Sequence, residues 1–269
     1  MSFLQFQFRQ WSLRYGLAIT ALLVLLPLRV EASEPLEVLV PAYFYPKPGG
    51  EWETLNAAAR QIPLTAIMNA HNGPGTKPNP EYTNVVSRLR AGGGKVIGYV
   101  YSSYAKRPLK DIKADIDHYA SFYVIDGIFV DEMTSDNDAG HLQYYKQIYQ
   151  HIKSRHANWR VIGNPGTTSA EAYLTQQTVD VLIVFENDAK IYPAEKPAAW
   201  NGPQYRRQLA HLVHTDKGVA AMKEHLKLAV SRNAGMVFIT DAKMPNPWDR
   251  LPTYWPEEVQ AIKELNAAR

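Results

Sequence analysis

A chain of 269 residues that is 46% hydrophobic and 20% charged is composed like one ordinary globular domain, long enough to bury a sizeable core. Its formal charge of +3 comes from Lys and Arg scattered among acids, which argues against nucleic acid as a partner. The absence of cysteine excludes a disulfide framework, a lipoprotein anchor, a thiol nucleophile and a Cys-based zinc site.

The first segment differs from the rest. Arg9 and Arg14 precede an apolar run from Leu17 to Leu28, and Val30-Glu31-Ala32 offers small residues at the spacing a signal peptidase reads. The run is shorter than the roughly 20 residues a membrane helix needs. Residues 1–32 are therefore expected to be a cleaved signal peptide, with an uncleaved anchor as the alternative. The mature chain is expected to be a secreted or periplasmic monomer, free of the membrane, with one domain over residues 33–269. Most of the positive excess belongs to the leader, which carries Arg9, Arg14 and Arg29 against Glu31.

From Leu36 onward the pattern alternates. A strand over 36–45 (LEVLVPAYFY) leads through Gly49-Gly50 to a helix near 52–61, and a second strand over 64–69 is followed by a helix opened by Asn79-Pro80. Gly92-Gly93-Gly94 precedes a third strand over 95–102. A phosphate loop would follow a strand and open a helix, so this triplet reads as a helix stop. A helix over 108–122 leads to the fourth strand, 124–130, whose run Ile128-Phe129-Val130 ends in Asp131-Glu132. Asp136-Asn137-Asp138 lacks calcium-loop spacing and reads as the cap of a helix over 141–156. A fifth strand over 159–163 and a short helix near 169–175 precede the sixth strand, 179–186, which runs into Glu186. Residues 187–204 read as a long functional loop. A strand over 208–214, a helix over 217–232, a strand over 235–240 and a helix over 256–268 complete the chain. Eight strands alternating with helices predict a single (β/α)8 TIM-type barrel of the α/β class.

In such a barrel the carboxyl ends of the strands share one rim, where catalytic groups sit. That rim collects Tyr43 and Tyr45, Asn69 and His71, Tyr101 and Ser102, Asp131 and Glu132, Asn164, Glu186, His214, and Thr240 with Asp241. The loops add Trp200, Trp248, Tyr254 and Trp255. Carboxylates for acid and base work beside aromatic faces suit a sugar site, and two unpartnered buried acids would be costly in a purely structural barrel. Side chains alternate along a strand, so Asp131 shares the face of Gly127 and points into the mouth, while Glu132 orients a neighbour or pairs with a cation. The chain has no G-x-S-x-G elbow and no H-E-x-x-H. On a strand, His211 and His214 face opposite sides. No metal and no cofactor is required.

Eight stretches together resemble the spherulin-4-like family, fungal and bacterial proteins assigned to glycoside hydrolase family 135. They are VPAYFYP at 40–46, IMNAHNGPG at 67–75, Asn79-Pro80 with Tyr82, GKVIGYVYSSYAKR at 94–107, DGIFVDEM at 126–133, GNPGT at 163–167, VFEN at 184–187 and FITDA at 238–242. The resemblance covers most of the mature chain. Ala70 stands where the family's second-strand motif has Pro after the Asn. The resemblance implies a (β/α)8 hydrolase of α-1,4-linked N-acetylgalactosamine in galactosaminogalactan-type exopolysaccharide, with the family's Asp-Glu pair at Asp131 and Glu132 and its later catalytic Glu at Glu186. Tyr43, Tyr45, Asn69, His71, Tyr101, Asn164, Trp200 and Asp241 are the candidate polysaccharide contacts. The alternatives are a non-catalytic exported carbohydrate-binding barrel and a metal-dependent polysaccharide deacetylase.

Overall fold

A computed structural model describes residues 35–268, so the expected leader lies outside the described residues. Eight parallel strands, each paired with its sequence neighbour and the eighth with the first, close a barrel. The strands are β1 (Glu37–Ala42), β2 (Leu64–Met68), β3 (Lys95–Tyr101), β4 (Gly127–Asp131), β5 (Arg160–Gly163), β6 (Val181–Asp188), β7 (Leu209–His214) and β8 (Met236–Ile239). Between them run α1 (Glu51–Ala59), α2 (Pro80–Ala91), α3 (Leu109–Phe122), α4 (Ala139–Arg155), α5 (Ala172–Thr175), α6 (Val219–Ser231) and, after β8, α7 (Trp255–Ala267). The 20 residues between β6 and β7 hold only two 3₁₀ turns, Tyr192–Ala194 and Pro203–Gln208.

Helix ends follow local chemistry. Asn79 accepts from the Glu81 N–H at 3.0 Å and Pro80 takes the first helical position, so α2 begins where an orphan donor is met and none is lost. Asp138 accepts from the His141 N–H at 3.0 Å, and the acidic triplet before α4 is a cap. The first strand is shorter than its apolar run. It stops at Ala42 because Tyr43 N–H leaves the β1–β2 ladder for the Trp248 carbonyl at 3.2 Å.

Strand faces are read from one close contact. A Cβ on Gly98 would lie 2.6 Å from the Tyr119 ring of α3, so Gly98 faces outward and the odd residues Ile97, Tyr99 and Tyr101 face inward. Register then carries that parity round the barrel: Tyr99 sits beside Phe129, Tyr101 beside Asp131, and Phe129 beside Ile162. Asp131 therefore points into the mouth. At the opposite end the floor is closed by charge, where Arg160 reaches Glu37 at 2.8 Å and Thr65 donates to the same Glu37 carboxylate. No helix among the described residues is long and apolar enough to cross a membrane.

Candidate active site

Two strand-end carboxylates meet over the barrel axis. Asp131 arrives by simple alternation at the end of β4. Glu186 does not. Ile183 pairs with Ala210 and Phe185 with His211, although Ala210 and His211 lie on opposite faces of β7. The register shift is a β-bulge at Val184, and it turns Glu186 inward beside Leu212. Without that extra residue the β6 alternation would aim Glu186 at the helices. The turn is held from β5's side, where the Glu186 N–H donates to the Gly166 carbonyl at 2.9 Å. Gly166 takes φ +68°, a left-handed conformation that suits glycine.

Asn164 joins the pair. Its backbone is fixed at both ends, N–H to the Val130 carbonyl at 2.8 Å and C=O from the Met133 N–H at 2.9 Å. Its Nδ2 donates to Asp131 Oδ1 at 2.8 Å and to Glu186 Oε2 at 2.5 Å. Two oxygens sharing one donor atom can be no farther apart than those two bonds laid end to end. For these two facing oxygens that limit lies short of the roughly 6.5–9.5 Å typical of inverting carboxyl pairs.

The two acids are solvated by neutral donors. Asp131 also accepts from the Tyr99 hydroxyl at 2.9 Å and from the Glu132 backbone N–H. Burial raises its pKa and those three donors work against the rise. Glu186 is raised further, to about 7, first by burial and then by the Asp131 charge, with only Asn164 and the Trp248 indole acting downward. With its pKa pushed up to about 7, Glu186 is the member of the pair suited to give up a proton near neutral pH. Burial, then the Asp131 charge, also keeps the Tyr43 and Tyr99 phenols protonated. Their rings meet edge to face at 5.6 Å, and Tyr99 stacks on Phe129 at 6.0 Å.

Glu132 follows Asp131 with φ +52°, strained for a non-glycine residue. Its carbonyl accepts from Ser102 Oγ and from the Tyr104 N–H, both at 2.7 Å. Its carboxylate makes no hydrogen bond or ion pair among the described residues and lies close enough to act on the Asp131 and Tyr99 pKa values.

The other candidates fall into two groups. Tyr43 stands beside the pair, and His71 is exposed on the loop after β2. Tyr101 is half-buried beneath the Arg107 guanidinium, 4.2 Å from its ring. Four are engaged elsewhere. Asn69 accepts from the Gly73 N–H, Tyr45 accepts from Asn79, and Trp200 donates to the Ser169 carbonyl at 3.0 Å. Asp241 is bound by Arg250 at 2.7 Å and by Thr253; burial works upward on its carboxyl, yet these donors hold it below the usual range. His211 and His214 bind Tyr192 and Thr215 on opposite faces, and no group of three or more His, Asp or Glu among the described residues converges as a metal site. Sequence reasoning missed Tyr99, which reads as core, and named Trp248 only as one of four rim-loop aromatics, since its loop has no periodicity to place it against Glu186.

Comparison with known proteins agrees with this architecture. The family model described as spherulation-specific family 4 matches residues 37–262. Spherulin-4 of Physarum polycephalum is 33% identical over 247 residues, spanning 87% of this chain and 72% of that one. The crystal structure of Aspergillus clavatus Sph3 in complex with GalNAc superposes with a TM-score of 0.73 at 25% identity, covering 86% of this chain and 99% of that one. A Pyrococcus furiosus chitinase domain, at 13% identity and TM-score 0.53 over 87% of this chain and 96% of that one, shares the fold alone. With the model spanning nearly all of the barrel and a relative one-third identical across it, the chain belongs to the Spherulin-4 family.

Proposed function

We propose that this protein is a secreted glycoside hydrolase that cleaves α-1,4-linked N-acetylgalactosamine or galactosamine units in an exopolysaccharide. The coarse part, a carbohydrate-active TIM barrel, has the support of the family and of a solved relative that holds GalNAc. The finer part rests on one observation, the Asn164 bridge between Asp131 and a Glu186 whose pKa is pushed up to about 7 by burial and by the Asp131 charge.

The chemistry follows from those states. Glu186 gives its proton to the glycosidic oxygen as the C1–O bond breaks, and an Asp131 oxygen attacks C1 from the other face. The glycosyl ester then loses to water, whose proton returns to Glu186, so configuration is retained. Forming the ester removes the Asp131 charge that raises Glu186, which makes Glu186 a base when the second step needs one. Both carboxyls act without a metal, and EDTA-treated protein is expected to keep its activity. Tyr43, His71 and Tyr101 are the aromatic and polar surfaces left for sugar rings. Export rests on the leader, and N-terminal sequencing of secreted material is expected to begin near Ser33.

The test is incubation of the mature protein with N-acetylgalactosamine-rich, partly deacetylated and N-acetylglucosamine polymers, with products read by mass. Shortened galactosamine-type chains that vanish with Asp131→Asn support the reading. Release of acetate without chain shortening would replace it with deacetylation, and binding without products would leave only a carbohydrate-binding barrel.

A further inference from the structure

Asn164 stood among the candidate sugar contacts, yet its amide faces the two acids. Both Nδ2 hydrogens are committed, one to Asp131 Oδ1 and one to Glu186 Oε2. The residue is 7% exposed and its buried Oδ1 has no partner among the described residues. A buried amide that leaves its own acceptor unsatisfied in order to donate twice is costly, so the donors are what the site selects.

The orientation has a chemical consequence. An oxygen that accepts from an N–H at 2.5 Å cannot also hold a proton along that line, because two hydrogens would meet. The Oε2 lone pair that faces Asn164 is therefore closed to the Glu186 proton. We propose that Asn164 is a positioning residue that keeps the Glu186 proton off the lone pair facing Asp131 and fixes the distance between the two carboxyls. This inference rests on the glycoside-hydrolase reading and deepens it.

The surroundings leave this task to neutral groups. Titratable neighbours of the two acids are Tyr43 just after β1, Tyr99 from β3 and Glu132 just after β4, and no cation pairs with either carboxylate among the described residues. Asn164 is also well built for the role: its two backbone bonds, to β4 and to the Met133 turn, tie the amide to the strand that carries Asp131. A one-Å drift of the amide would detach one acid from the other.

The experiment compares Asn164→Ala and the isosteric Asn164→Asp with the parent enzyme, using galactosaminyl oligosaccharides and the corresponding 4-nitrophenyl glycosides, each over a pH series. A sugar leaving group needs the proton and a nitrophenolate does not. The expected result is a kcat loss on the order of tenfold to hundredfold on the oligosaccharide, with KM changed less than about twofold, and a loss of only a few-fold on the aryl glycoside. The alkaline limb of the profile should move to higher pH, since removing a donor to Oε2 disfavours the charged form of Glu186. Thermal unfolding of both variants accompanies the kinetics; Asn164→Asp keeps the side-chain volume if Asn164→Ala folds poorly. Equal losses on both substrate types with an unmoved alkaline limb would reduce Asn164 to a structural residue and overturn the proposal. Glu186→Gln serves as the control: if it too shows no leaving-group dependence, Glu186 is not the acid, and the functional reading fails together with the proposal.

Discussion

The two ends of this barrel treat half-buried acids differently. On the amino-terminal side each carboxylate has a cation: Glu37 has Arg160 at 2.8 Å, Asp126 has Arg90 at 3.0 Å, and Asp180 has Lys153 at 2.6 Å. At the carboxyl-end mouth, Asp131 and Glu186 have an amide, a phenol, an indole and a backbone N–H. A cation fixes an acid in its charged form, whereas neutral donors satisfy its geometry and leave the proton free to move. The cation-paired acids at the floor hold the fold together; at the mouth Asp241 is likewise paired with Arg250, and only the Asp131–Glu186 pair is left with neutral donors suited to proton transfer.

This contrast makes testable claims of decreasing size. Asp131→Asn removes the charge that attacks carbon and should lower kcat by roughly 10³-fold or more on every substrate, read by product formation. Glu186→Gln should cost roughly 10²- to 10⁴-fold on the polymer and far less on a nitrophenyl glycoside. Should Glu186→Gln hydrolyse the polymer at near-parental rate, or Glu132→Gln alone abolish turnover, the assignment of roles would be wrong.

At the floor the pattern reverses. Arg160→Met leaves Glu37 without its cation and should destabilise the fold by about 1–3 kcal/mol in urea unfolding, with kcat per folded molecule unchanged. A fall in kcat with stability intact would mean that the two ends are not separate in function.

The smallest effect is on stability against pH. Glu186 has a folded pKa of about 7, raised above that of the unfolded chain, so its contribution to stability is full below pH 4 and is lost as pH rises toward 7. Glu258 in α7 has the same sign: it is fully buried, accepts from the Ile239 N–H at 3.0 Å, and burial raises its pKa well above the usual range. Glu186→Gln and Glu258→Gln should each flatten the decline of Tm between pH 5 and 8. A decline as steep in both variants as in the parent would show that these groups do not titrate across folding.

How much of this was legible beforehand depends on which signal each residue carries. The barrel was readable because eight apolar runs separated by caps, glycines and prolines repeat one unit, and a parallel strand buried on both faces is a continuous apolar word. Asp131 and Glu186 were readable because an acid at the end of such a word is conspicuous. The inward aim of Glu186 was not, since it depends on a bulge that pairing with β7 creates and single-strand alternation contradicts. Tyr99 looks like any core aromatic until its hydroxyl is seen on Asp131, and Asp241 looks like a rim acid until Arg250, nine residues on, is seen to bind it. Asn164 was placed at the rim correctly as a position, but the sequence gives no hint that its amide turns toward the acids and not toward a sugar.

The division of labour between the acids is tested most directly by the pH dependence of kcat/KM on a galactosaminyl oligosaccharide, measured for the parent enzyme and for Glu186→Gln. In the parent an alkaline limb near pH 7 should appear, reporting the Glu186 proton in the free enzyme, and it should be absent from the residual activity of Glu186→Gln. An alkaline limb that persists unchanged in Glu186→Gln would place the catalytic proton on another group and refute the account.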